Sequence, residues 1–237
     1  LETIQRDFVA NVSHELKTPL TTIKGYTETL LEREIEDLST IRNFLNVIDA
    51  ETDRMNRLVR ELLQLSKLDN QQERLTKKES NLITIIHSAV TKMELTASAK
   101  SQTLVSDYSA SARLPVLVDR DRIEQVVLNL LSNAIKYSLN DTTIRIETFV
   151  EGIDVGFRVI DNGIGISTNE INRVFERFYR VDKARSRDLG GTGLGLPIAR
   201  QIIEEHSGTI ELTSQVGEGT TVTVRLPLSQ LGSNPLG

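Results

Sequence analysis

The stretch Phe8-Val9-Ala10-Asn11-Val12-Ser13-His14-Glu15-Leu16-Lys17-Thr18-Pro19-Leu20 sets the reading of the whole chain. Phe8, Val12, Leu16 and Leu20 recur at four-residue intervals, which predicts an amphipathic helix. His14 lies off that stripe and should face solvent, with Glu15 beside it and Thr18 one turn further on the same side. Pro19 falls inside the pattern, removing one backbone donor and loosening the turn before it. An exposed imidazole next to a carboxylate is a candidate nucleophile. The same pair also suits an ordinary solvated surface, and this stretch alone leaves both readings standing.

Around it the pattern extends to a helix over 2–35 and a second over 38–69. The second carries Ile41, Leu45, Ile48, Met55, Leu58, Leu62, Leu65 and Leu68, with Ser39 as a start signal shortly after Asp37. Two such helices joined by a short turn make a hairpin whose stripe is not buried by the pair alone. Pairing with a second copy as a four-helix bundle is the expected remedy; packing on the remainder of the same chain is the alternative. Residues 70–80 read as linker and first short strand. Helices are expected over 82–99, 119–137 and 194–206. Strands are expected over 102–107, 116–118, 142–150, 153–160, 209–214 and 220–226, and the tail after Pro227 as disordered. Helices combined with antiparallel hairpins imply an α+β layered sheet.

Bulk properties narrow the function. The chain has 237 residues, a net charge of −5 and no cysteine. The acidic balance gives no reason to expect nonspecific nucleic-acid binding, and disulfides and thiolate metal sites are excluded. No apolar run is long enough to span a membrane. The chain opens within a helical pattern at Leu1 and is read as a piece of a longer protein.

Three clusters carry chemistry. Asn129, Asn133, Lys136 and Tyr137 share one face of the 119–137 helix, opposite the apolar residues Val126, Val127, Leu130, Leu131, Ala134 and Ile135. Amide oxygens one turn apart suit Mg²⁺, and a lysine neutralises phosphate. Asparagines are poor helix formers on a merely solvated face. Asp161-Asn162-Gly163-Ile164-Gly165 follows a strand; Asp161 can accept a hydrogen bond from an exocyclic amine such as that of adenine, although Asp-Asn-Gly is also a common turn. Gly190-Gly191-Thr192-Gly193-Leu194-Gly195 feeds a helix start marked by Pro197, an arrangement that cradles anions. It is neither a Walker A loop nor a dinucleotide fingerprint. Between the glycine clusters, Phe175-Glu176-Arg177-Phe178-Tyr179-Arg180 leads into a charged run through Asp182, Lys183, Arg185, Arg187 and Asp188. This segment reads as a lid over a nucleotide, with Arg177 or Arg180 reaching phosphate, or else as a long surface loop. His87 and His206 read as structural, the latter as a cation at a helix end.

Taken together these segments resemble the cytoplasmic core of a bacterial sensor histidine kinase. Ser13–Leu20 resembles the phosphoacceptor box, Asn129–Tyr137 the asparagine box, Asp161–Gly165 and Gly191–Gly195 the two glycine boxes, and Phe175–Phe178 the phenylalanine box. Ile23-Lys24-Gly25-Tyr26 and Phe178-Tyr179-Arg180-Val181-Asp182 look most like the PhoR and WalK group. Pro197 departs from the pattern, where a small residue is more usual.

The resemblance implies an N-terminal hairpin, residues 1–70, forming a dimeric four-helix bundle for dimerisation and histidine phosphotransfer. A linker over 71–80 would follow, then an α/β sandwich ATP-binding domain of the gyrase, Hsp90 and histidine kinase type over 81–230, with a tail over 231–237. It implies ATP and Mg²⁺ as cofactors, adenine against Asp161 and Mg²⁺ on Asn133 with Asn129 nearby. Lys136, Tyr137, Gly163, Gly165, Arg177, Arg180, Gly191, Thr192, Gly193, Leu194 and Gly195 would complete the nucleotide site. His14 would take the γ-phosphoryl group, Glu15 would handle the ring proton, and Thr18 would orient water for phosphatase action. The partners implied are a second copy and a response regulator receiver domain. The core would be the cytoplasmic portion of a sensor anchored through N-terminal segments missing here.

Overall fold

The computed structural model describes residues 2–32, 35, 37–69, 75–109, 112–182 and 190–229. The charged run through Lys183, Arg185, Arg187 and Asp188, most of the expected linker and the C-terminal tail lie outside them.

Two long helices, α1 (Glu2–Glu32) and α2 (Leu38–Asp69), form the expected hairpin. Pro19 sits buried inside α1 without ending it. Its turn is supplemented by side chains: Thr18 Oγ1 donates to the His14 carbonyl at 3.2 Å and Thr22 Oγ1 to the Thr18 carbonyl at 3.3 Å. The start of α2 is capped by Asp37 rather than Ser39. The carboxylate accepts from the Ser39 and Thr40 backbone N–H groups at 3.0 and 3.2 Å and from both hydroxyls. Those bonds favour the ionised form and hold Asp37 down at about 2.

The apolar stripe of α2 is divided. Leu58, Leu65 and Leu68 are buried in the same core as the rest of the chain, whereas Leu45 is exposed. The two remedies for an uncovered stripe therefore apply to different parts of the helix. Leu58, Leu65 and Leu68 pack on their own chain, while Leu45, Val59 and Leu63 stay exposed. On α1, Val9 and Leu20 are likewise exposed.

The remainder is a two-layer α/β unit. Strands β1 (Lys78–Asn81) and β3 (Pro115–Val118) form a small antiparallel pair. The main sheet has the order β2-β4-β5-β7-β6, from β2 (Thr103–Asp107), β4 (Thr143–Glu151), β5 (Asp154–Asp161), β6 (Thr209–Gln215) and β7 (Gly219–Pro227). It is antiparallel except for β2 against β4. Helices α3 (Leu82–Ser98), α4 (Arg120–Tyr137) and α5 (Gly195–Glu205) cover one face, with α4 in the middle. Alternate strand residues Ile144, Ile146, Val155, Phe157, Val159, Val222, Val224 and Leu226 point into that layer and are buried. The opposite face is polar: Arg225 pairs with Glu151 and Glu211.

His206 departs from its expected role as a helix-end cation. It is buried, with Nδ1 2.7 Å from the Ile202 carbonyl and Nε2 accepting from the Asp119 N–H at 3.0 Å. An imidazole with one donor and one acceptor bond is neutral, and burial pushes its pKa below the ordinary value. It ties the end of α5 to Asp119, whose own carboxylate caps α4 through the Arg122 N–H. His87 is exposed on α3.

Candidate active site

Between the inner ends of β5 and β7, the polar face of α4 and the start of α5 lies a cavity of about 550 Å³. That volume falls within the range that holds a nucleotide-sized ligand. Asn129, Asn133, Lys136 and Tyr137 line it from α4, Asp161 and Gly165 from the first glycine cluster, and Gly191, Thr192, Gly193 and Gly195 from the second, with Arg180 at the lid. Residues of α4 thus meet residues 24 to 66 positions further along the chain because β5 and α5 flank α4.

Each element positions its side chain for a local reason. The apolar residues of α4 face the sheet, so Asn129 and Asn133 must face away from it; Asn129 Nδ2 donates to the Gly195 carbonyl at 3.2 Å. Asp161 ends β5 as a buried carboxylate and accepts from the Gly163 N–H at 2.8 Å. Burial raises its pKa to about 6, against the lowering effect of backbone N–H bonds from Gly163 and Thr220. Gly165 has φ +69°, and a Cβ there would run into the Gln215 carbonyl, so the turn requires glycine. Gly193, at φ +75°, sits so close to the Phe178 backbone that a Cβ would meet it at 2.8 Å. Phe178 itself adopts φ 64° and donates its N–H to the Gly193 carbonyl at 2.9 Å. The phenylalanine cluster is thereby fastened to the glycine loop.

At the mouth of α5 no side chain of Leu194 caps the helix, and Thr192 Oγ1 accepts from the Leu194 N–H at 3.3 Å. Burial lowers Lys136 to about 8, with Arg57 and Arg180 adding to the effect and Glu61 opposing it. A lysine at that value still carries a proton at neutral pH and can meet phosphate.

Three expected nucleotide contacts lie elsewhere. Gly163 and Leu194 do not line the cavity, Leu194 being fully buried in the core. Arg177 points to the hairpin, gripping Asp69 with both guanidinium nitrogens at 2.9 and 2.6 Å. His14 is exposed on α1 and is not among the cavity residues. Its neighbour Glu15 is held by two arginines through one oxygen: Arg54 at 3.1 Å and the lid's Arg180 at 2.8 Å. Phe8 and Phe178 add a tilted ring contact at 5.7 Å. The stretch around His14 and the segment Phe175–Arg180 are therefore in direct contact.

Comparison with known proteins decides the family. Residues 4–71 match the His Kinase A (phospho-acceptor) domain, and residues 118–230 match the histidine kinase-, DNA gyrase B- and HSP90-like ATPase. The chain belongs to the histidine kinase family. It is similar to the sensor protein kinase WalK of Staphylococcus saprophyticus, 42% identical over 233 residues, covering 98% of this chain and 38% of that protein. A WalK of Staphylococcus aureus is 42% identical over 231 residues, covering 96% of this chain and 54% of that one. Among solved structures, histidine kinase ThkA in complex with the response regulator protein TrrA superposes with a TM-score of 0.78 at 27% identity, over 96% of this chain and 63% of that one. The Acinetobacter baumannii histidine kinase AdeS gives 0.71 at 27% identity, over 92% and 98%.

The hairpin itself contributes to the wall of the cavity. Arg57 and Glu61 of α2 line it, as do Thr96 and Lys100 from α3 and its end. Sequence reading missed all four. Arg57 and Glu61 lie among many charges on a helix whose periodicity marks only its apolar face. Lys100 gives more of a structural signal here, its Nζ donating to the Ile135 carbonyl at 2.8 Å at the end of α4. The domain supports ATP use.

Proposed function

We propose that this chain is the catalytic core of a sensor kinase that phosphorylates His14 from ATP and passes the phosphoryl group to an aspartate of a response regulator. The observation that carries this is one chain holding both halves of the reaction: an exposed histidine in a phospho-acceptor helix and a nucleotide-sized cavity whose lid touches that helix.

In this reading adenine donates its exocyclic amine to Asp161. Lys136, Thr192, Arg180 and the N–H groups of the glycine loop bind phosphates, with charge neutralisation and positioning supplying most of the rate. Mg²⁺ fits the residues present. It asks for few protein ligands beside phosphate and water, and the amide oxygens of Asn133 and Asn129 are hard donors at the cavity. When bound it would neutralise phosphate charge. The His14 ring nitrogen attacks the γ-phosphorus, the bond to the β–γ bridging oxygen breaks, and ADP leaves. Glu15 orients the ring and takes the proton from its other nitrogen. That role requires Arg180 to exchange Glu15 for phosphate, since one guanidinium nitrogen now serves the carboxylate. Thr18 orients water when the phosphorylated regulator is dephosphorylated.

The exposed Val9, Leu20, Leu45, Val59 and Leu63 on the hairpin support pairing with a second copy as a four-helix bundle. No helix among the described residues is long and apolar enough to cross a membrane. Anchoring would come from segments outside this chain, which spans less than two thirds of its WalK relatives.

The test is incubation with γ-labelled ATP. Acid-labile, base-stable label on the wild type and none on His14→Gln, with ATP binding retained by the variant, is the expected result. Label that survives acid or persists in the variant would overturn the assignment.

A further inference from the structure

Helix α2 sends Arg57 and Glu61, one turn apart, into the nucleotide cavity. The reaction above uses neither. Glu61 accepts a hydrogen bond from Thr192 of the glycine loop, and Lys136, Arg57 and Arg180 lie within electrostatic reach of it. Thr192, Lys136 and Arg180 are the groups assigned above to the phosphates. A carboxylate therefore stands where a phosphate oxygen would find its donor and its cations. Among the described residues, the other oxygen, Oε2, is buried without a hydrogen-bond partner. A half-buried carboxylate with one oxygen shut away from water is costly to keep, and the cations around it compensate.

We propose that Glu61 is an internal competitor for the phosphate subsite, holding α2 against the cavity and yielding that position when a phosphate-bearing nucleotide enters. The proposal rests on the ATP-site reading. It makes nucleotide entry and release of the hairpin one event. The same cations cannot serve both anions, and two negative groups at that spacing repel one another. The neighbouring contacts are arranged to let go together. Arg177 on Asp69 and the Gln64–Gln125 amide pair at 2.7 Å join hairpin to ATP-binding unit through polar, partly exposed groups, and Arg180 joins them through a buried guanidinium on a Glu15 oxygen that it shares with Arg54. Burial also pushes the Glu61 carboxyl above its ordinary range, the direction expected of a group held in place against its preference for water.

The discriminating variant is Glu61→Gln, which keeps the shape and an acceptor for Thr192 and removes the charge. Binding of ADP and of adenosine to the 237-residue chain is measured by calorimetry in Mg²⁺ buffer, with Glu61→Ala alongside. The expected result is that both variants bind ADP on the order of tenfold more tightly than wild type while adenosine, lacking phosphate, binds all three alike. Unchanged or weaker ADP binding in both variants would overturn the proposal, as would an equal gain for adenosine, which would mark Glu61 as a steric obstacle only. If wild type binds ADP and the variants gain nothing, the competitor falls and the nucleotide site stands. If none of the proteins binds ADP, both fall.

Discussion

Replacing Asp161 by asparagine should make the protein more stable and less able to bind nucleotide. Asp161 is buried, and its pKa rises from the ordinary 3.8 to about 6. At neutral pH the folded protein therefore holds an ionised carboxylate that is about 3 kcal/mol less comfortable than in the unfolded chain. The sign follows from proton counting. Below pH 3.8 the group is protonated in both states and costs nothing. As pH rises through 6 the unfolded chain has already released its proton and the folded one is forced to follow, so stability from this group is lost. Asparagine never ionises. Its oxygen can still accept from the Gly163 N–H, though more weakly, so the gain at pH 7 should be about 2 kcal/mol. For a chain of this size that corresponds to about 4–8 °C in melting temperature. Urea denaturation of both proteins at pH 7 and pH 4 checks it, the difference shrinking towards zero at pH 4. His206 also titrates differently in the folded state, but it does so in both proteins and cancels. ADP affinity should meanwhile fall on the order of tenfold to a hundredfold, the worth of a charge-assisted hydrogen bond. A variant no more stable than wild type at pH 7, or one that binds ADP equally well, would refute the argument.

The other expectations are simpler. Thr18→Ala should leave autophosphorylation within about twofold and slow dephosphorylation of the regulator, because among the described residues its hydroxyl bonds only the His14 carbonyl, one weak supplement to a long helix; equal dephosphorylation rates in a purified mixture would remove the role. Gly165→Ala should cost at least about 3 kcal/mol, since a Cβ would strike the Gln215 carbonyl in a left-handed conformation. A melting temperature within a degree of wild type would show that the turn can move.

The secondary structure and the order of the chemical clusters were legible from the sequence, since each rests on neighbours along the chain. The stripe of α2, the alternation in β4 and β7 and the glycines before α5 are local patterns enforced by helix and strand geometry. Capping was harder to read. Asp37 and Ser39 are both good cap residues two positions apart, and only the path of the backbone selects Asp37.

His206 shows the same limit in another form. A histidine at a helix end suits a positive charge if water reaches it, and here the ring is buried between the Ile202 carbonyl and the Asp119 N–H, which leaves it neutral. The lid gives the clearest case. Arg177 and Arg180 were equivalent as letters, each an arginine in an aromatic run. The fold sends one to Asp69 and the other to Glu15.

By itself, then, the sequence determined the hairpin, the α/β unit, the glycine loop before α5 and the solvent-facing position of His14, because each follows from periodicity or from the freedom of a few glycines. Only the tertiary structure decided which charges meet. Glu15 with Arg180 and Glu61 with Thr192 are joined across more than a hundred residues, and no local pattern records a partner chosen by how two folded units lie against each other.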